Sequence, residues 1–170
     1  MQDTLPIHFA PLQGYTEAIY RNAHDAFFGG VDTYYTPFVR LEKGNFRRRD
    51  VRGIEPENNG VPHLIPQLIA SSAEKAEVIL SLFIEKGYQE VDINLGCPFP
   101  LLAKRHNGSG ILPYPEEVKA LLSIVTRYPQ ISFSVKMRLG WEQPDECLAL
   151  APILNDLPLR QITMHPRLGK

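Results

Sequence analysis

The sequence is short of several things, and each scarcity excludes a class of protein. Among 170 residues there are only two cysteines, Cys97 and Cys147. Two thiols in a chain this long do not build the disulfide framework of a small secreted domain, and they point to a reducing, cytoplasmic setting. No window approaches the roughly 18 uninterrupted apolar residues of a membrane helix. The opening MQDTLPIHFAPLQGYT has neither a basic start nor an apolar run of signal length. No membrane partner and no metal are expected. Neither sign of charge is in excess, since the formal net charge is −1. Any nucleic-acid contact must therefore come from a local basic patch.

What is present is an alternation. Apolar residues make up 44% of the chain, enough for a core, and they fall in six short runs: 7–10, 31–36, 63–70, 90–95, 131–137 and 161–165. Longer helical patterns separate most of these. The first covers residues 16–28 and is stopped by Gly29-Gly30. The second follows Ser71-Ser72, with Ala76, Ile79, Leu80, Phe83 and Ile84 at helical spacing and Gly87 at its end. The third opens at Pro115, carries Glu116 and Glu117 in its first turn, and runs to Tyr128. The fourth lies near 146–155. Residues 40–61 break the rhythm; they hold several charges and Gly44, Gly53 and Gly60, with little apolar periodicity. They are expected to form an excursion from the strand ends.

Repeated β-α units imply parallel strands with helical crossovers, hence an α/β fold. Two architectures compete, an open doubly wound sheet and a (β/α)8 TIM barrel. No G-x-G-x-x-G follows the first run, where the turn reads Pro11-Leu12-Gln13-Gly14, so the doubly wound sheet lacks its fingerprint. Polar and reactive residues sit instead at the ends of many runs: Gln67, Asn94 and Cys97, Lys136 and Arg138, and His165. That distribution is the habit of a barrel. Eight strands in about 250 residues complete such a barrel. Six are counted, so the expectation is a TIM barrel incomplete in this chain, with residues 1–170 forming the amino-terminal part of a longer protein.

The motifs carry a resemblance. APLQGYT (10–16), PQL (66–68), DINLGCP (92–98), GSGIL (108–112), VKMRLG (135–140) and MHPR (164–167) stand in this order. Together they resemble the conserved segments of the tRNA-dihydrouridine synthases. Leu12 replaces the family's usual methionine, Glu17 its aspartate, and Pro166 a glycine; none of these changes removes a reactive group.

The resemblance implies a flavoprotein that binds FMN without a covalent bond, takes electrons from NADPH and reduces a uracil base in tRNA. It makes Cys97 the general acid. A free thiol, with a pKa of about 8.5, is protonated at neutral pH and can donate. Read without the resemblance, an isolated cysteine is a small buried apolar residue; Cys147, beside Leu148 and Leu150, is taken as such. The resemblance places Pro11, Leu12, Gln13, Gln67, Lys136 and His165 against the flavin, with Lys136 near the ring edge where a cation stabilises the anionic reduced state. It gives Asn94 the uracil edge and Arg138 flavin or RNA phosphate. It also implies that strands seven and eight, with the flavin-phosphate site, and a carboxyl-terminal helical tRNA-binding domain lie beyond this chain.

Six cations, Arg40, Lys43, Arg47, Arg48, Arg49 and Arg52, face only Glu42 and Asp50 within residues 40–52. The run is either a solvated surface or a phosphate-contacting patch, in which Arg40, Arg47, Arg48 and Arg49 would hold tRNA. Tyr34, Tyr35 and Phe38 just before it are either core or stacking platforms for a base. Two rival functions remain: an FMN barrel reductase of a free pyrimidine, similar to a dihydroorotate dehydrogenase, and a truncated, non-catalytic chain.

Overall fold

The computed structural model describes residues 5–170. They divide into two units, one ending at Gln67 and one running from Leu68 to Lys170. All six apolar runs contain strands.

In the first unit, β1 (His8–Phe9), β2 (Thr33–Tyr35) and β5 (Leu64–Ile65) form a parallel sheet in the order β1-β2-β5. The crossover helix α1 (Ala18–Phe27) starts two residues later than the sequence pattern suggests. The reason is local: Thr16 is spent on a turn, its Oγ1 accepting from the Leu12 N–H at 2.9 Å. Gly29 and Gly30 then stop the helix with φ of 60° and 71°, a region open to glycine. Tyr34, Tyr35 and Phe38 are buried and belong to the core. The Tyr34 hydroxyl donates to Asp25, and the Phe9 ring lies 4.6 Å from that of His24.

Residues 40–61 are more structured than their weak periodicity implies. They hold a hairpin, β3 (Leu41–Glu42) and β4 (Asn45–Phe46), then α2 (Arg48–Ile54) and a 3-10 turn, Pro56–Asn58. The hairpin turns on Lys43-Gly44, both at positive φ, as a tight two-residue loop demands. What holds this segment is polar. Arg21 of α1 is fully buried and donates to the carbonyls of Thr16 (2.6 Å) and Gly53 (2.8 Å) and to Asn59 Oδ1. Asn22 donates to the Asn58 carbonyl and accepts from the Gly60 N–H. An apolar stripe is not needed where side chains bind backbone in this way, and so no periodicity marks the segment.

The strand β6 (Gln67–Leu68) falls at the division and leads the sheet order β6-β7-β8-β9. In the second unit, β7 (Glu90–Leu95), β8 (Ser132–Gly140) and β9 (Gln161–Leu168) are parallel neighbours. The crossover α3 (Ala73–Glu85) begins on Ser72, whose Oγ accepts from the Lys75 N–H, and ends before Gly87 at φ 84°. It buries Ala76, Ile79, Leu80 and Phe83, one face of a helix. The helix expected over 115–128 is two pieces, α5 (Pro115–Leu122) and α6 (Ile124–Arg127). Ser123 lies at the break and its hydroxyl bonds back to the Ala120 carbonyl, a competitor to the helical ladder. A short α4 (Pro100–Ala103) and a 3-10 turn, Gly108–Ile111, lie in the loop after β7. Between β8 and β9 runs α7 (Glu146–Asn155), as the sequence indicates.

Cys147 corrects an expectation. It is partly exposed, and its Sγ–H donates to the Pro144 carbonyl. It sits in the first turn of α7, against the incoming loop, while the buried face of that helix is made by Leu150 and Leu154. Among the described residues no helix is long and apolar enough to cross a membrane.

Candidate active site

In the second unit the ladder itself gathers the candidate residues. Asn94 of β7 is paired in register with Lys136 of β8, and Arg138 of β8 with His165 of β9. All four lie toward the carboxyl ends of parallel strands, where barrel folds carry their chemistry. Along β8, Phe133, Val135 and Met137 are buried, while Lys136 and Arg138 between and beyond them keep partial access to solvent. The alternation is the two-residue period of a strand.

Cys97 comes two residues after the ladder of β7 ends, and its backbone is held by side chains. Asn94 Oδ1 accepts from the N–H groups of Gly96 (3.0 Å) and Cys97 (2.9 Å). The Gly96 carbonyl accepts from Arg138 Nε at 2.8 Å. The Cys97 carbonyl accepts from both the N–H and the hydroxyl of Ser109, each at 3.0 Å. Gly108, at φ 61°, packs so closely that a Cβ there would lie 2.5 Å from the Cys97 carbonyl oxygen. Cys97 as a residue is partly exposed on this fixed turn. Asn94 thus serves a backbone role with its oxygen, which is one of the two roles its motif allows.

The electrostatics are cationic. Burial pulls the Lys136 ammonium below its ordinary pKa; Asp92 pushes it back up and Arg138 adds to the depression. Asp92 is itself buried and accepts from the Ser134 hydroxyl. His165 is also shifted down, first by burial and then by Arg138, Lys136 and Arg167. Its imidazole is therefore the neutral form at pH 7. Arg138 donates through Nη1 to the Leu168 carbonyl at 2.6 Å, in addition to its bond to Gly96. Much of its guanidinium is spent tying the ends of β7 and β9 together. The result is a cysteine beside a group of cations that would accommodate negative charge as it develops nearby.

The first unit carries the other candidates. Pro11, Leu12 and Gln13 lie in the turn after β1, with Leu12 exposed. Both polar atoms of the Gln13 amide are buried with no protein partner among the described residues. Gln67 is buried; its N–H donates to Thr36 Oγ1 and its carbonyl accepts from the Val39 N–H. The arginine run is a mixed network, not a row of free cations. Arg40 and Arg47 pair with Glu42 at 3.7 and 3.9 Å, Arg47 reaches Asp50 at 4.0 Å, and Arg49 lies 3.7 Å from Glu17. Asp50 is buried, which raises its carboxyl pKa against the pull of Arg47, Arg49 and Arg40. Arg48 is exposed, at the start of α2.

Three residues with clear structural roles carry no reading of their own in the sequence. Ser109 and Asp92 stand inside the motifs GSGIL and DINLGCP, where a reading of every polar residue finds them. Arg21 has no such signal; a lone arginine in a helical pattern reads as solvated.

A family model described as dihydrouridine synthase matches residues 8–170. The chain is similar to the probable tRNA-dihydrouridine synthase 1 of Synechocystis sp., at 28% identity over 165 residues, covering 93% of this chain and 44% of that protein. It is also similar to the tRNA-dihydrouridine(16) synthase of Haemophilus ducreyi, at 28% identity over 95% of this chain and 52% of that protein. A third relative, the tRNA-dihydrouridine synthase B of Vibrio cholerae, is 31% identical over 103 residues, 60% of this chain and 30% of that protein. The chain thus spans about a third to a half of the length of the curated relatives it matches.

Proposed function

The chain belongs to the dihydrouridine synthase family, and on that premise we propose that it is the amino-terminal part of an oxidoreductase that reduces the C5–C6 double bond of uridines in tRNA. The fold of the family is the (β/α)8 barrel, of which this chain carries about six β-α units. The observation that carries the functional reading is the setting of Cys97. A thiol on a rigidly held turn at a strand end, flanked by Asn94 and by a cationic cluster, is built to deliver a proton.

The residues fit FMN as cofactor. In the first unit, the buried Gln13 amide offers an unmet donor and acceptor, the complement of the pyrimidine edge of an isoalloxazine. Pro11, Leu12 and Gln67 are assigned to the same cofactor. In the second unit, Lys136 and His165 stand among cations, which suits a ring that becomes anionic on reduction. FMN, reduced by NADPH, would supply the hydride that reaches C6. The Cys97 thiol gives its proton to C5, so that hydride and proton together saturate the double bond. Asn94 holds the uracil edge. The target uridine is flipped out of the tRNA, because a stacked base is out of reach. Arg40, Arg47, Arg48 and Arg49 contribute to holding tRNA, with exposed Arg48 the freest to meet a phosphate, and Arg138 divides its guanidinium between the Cys97 turn and the same ligand.

A second reading has one observation in its favour. Because the chain spans only part of its relatives' length, it is also readable as a piece that does not turn over alone. The test supplies the chain with FMN, NADPH and an unmodified tRNA transcript, follows flavin binding by fluorescence quenching, and reads the nucleosides by mass spectrometry. Dihydrouridine in the tRNA is the expected product. Flavin-dependent reduction of free orotate or uracil with the tRNA untouched would move the chain to the reductases of free pyrimidines. A chain that binds no flavin and reduces neither would favour the second reading.

A further inference from the structure

We propose that Ser109 is a positioning residue for Cys97, pinning the carbonyl side of its peptide while Asn94 pins the amide side. The parallel ladder between β7 and β8 ends at the pair Leu95–Met137. Gly96 and Cys97 lie beyond it, and all four of their backbone polar groups are bonded. The two N–H groups go to Asn94 Oδ1, the Gly96 carbonyl to Arg138, and the Cys97 carbonyl to Ser109, through both its N–H and its hydroxyl. Pro98 follows, with its φ fixed by its ring. Ser109 is the last lock on that turn.

The placement of Ser109 is specific. It is fully buried, although a hydroxyl gains nothing from burial unless it is bonded. Gly108 brings it within reach, because no side chain could occupy that position against Cys97. From the other side Gly169, just after β9, backs it so tightly that a Cβ there would lie 2.5 Å from the Ser109 Oγ. The hydroxyl is therefore confined and aimed at the Cys97 carbonyl. A proton donor must be held within a fraction of an ångström of its target, and Ser109 supplies that constraint from outside the strand.

The catalytic consequence rests on the reading of Cys97 as proton donor, but the positioning itself is measurable without it. In the 170-residue chain, alkylation by iodoacetamide is followed at the Cys97 peptide by mass spectrometry, with amide hydrogen exchange at Gly96 and Cys97 measured in parallel. Ser109→Ala keeps the N–H bond and removes the hydroxyl bond, so both rates are expected to rise about fivefold, the worth of one net hydrogen bond to local opening. In dihydrouridine formation the same variant lowers kcat by a similar factor and leaves KM for tRNA unchanged. Should Ser109→Ala fail to fold, Ser109→Cys keeps the packing and weakens the donor, and it too must raise the Cys97 rate. Unchanged alkylation and exchange in a folded variant would overturn the proposal. If Cys97→Ala retained full activity, the proton-donor reading would fall while the alkylation result still decided the role of Ser109.

Discussion

Gly108→Ala is the sharpest probe of the turn that carries Cys97. A Cβ at that position would stand 2.5 Å from the Cys97 carbonyl oxygen, 2.8 Å from its Cβ and 2.9 Å from its nitrogen. All three atoms belong to Cys97, and two of them are backbone, so no flexible side chain can give way. Ordinary contact begins at 3.4 Å, and the turn must therefore shift by nearly 1 Å, a displacement that costs roughly 10²-fold in rate when it falls on a catalytic group. The variant also forces an L-residue to φ 61°, a strain of about 1–2 kcal/mol. The expected outcome is a folded protein, modestly less stable in urea, whose single-turnover rate of dihydrouridine formation falls about a hundredfold while reduction of its flavin by NADPH is unaffected. A rate within threefold of the parent, in a protein of unchanged stability, would refute the claim that close packing of this loop sets the thiol.

Arg21→Ala removes a fully buried guanidinium and orphans the carbonyls of Thr16 and Gly53 together with Asn59 Oδ1; each buried acceptor left unsatisfied costs about 1–3 kcal/mol, so a marked loss is expected in urea denaturation, with the first protection lost in hydrogen exchange at residues 53–60. The arginines of the 40–52 segment should separate into two kinds. Arg48→Glu, at an exposed position, weakens tRNA binding and flattens its salt dependence with little change in stability, whereas Arg47→Glu takes a cation from buried Asp50 and lowers the thermal midpoint; equal effects of the two on tRNA affinity and on stability would contradict this division.

The sequence was most legible where one periodicity runs without interruption. The apolar run 90–95 is β7 to the residue, and the pattern near 146–155 is α7. Legibility failed where polar bonds replace apolar stripes. Nothing in the spacing of residues 40–61 announces a hairpin and a helix, because their anchor is Arg21, thirty-two positions from Gly53 along the chain. The break at Ser123 was hidden for a related reason, since a serine inside a helical pattern does not reveal that its hydroxyl bonds back to Ala120. For the site, motif order proposed Asn94, Cys97, Lys136, Arg138 and His165, and the strand register of the second unit brings the last three and Asn94 alongside one another. The partners of the Cys97 backbone were not legible. Which carbonyl Ser109 meets, and how Arg138 divides its donors, depends on the path of a loop that no local pattern specifies.

The central claim, that Cys97 donates the proton, is tested most directly by Cys97→Ala with the flavin already reduced, so that only the steps on uracil are observed. Dihydrouridine formation should fall by roughly 10²–10⁴-fold, the usual loss when a positioned acid is removed, while flavin binding, its reduction by NADPH and tRNA affinity stay at parental values. Parental rates of dihydrouridine formation in the alanine variant would show that the proton comes from elsewhere and that the turn built around Cys97 serves another purpose.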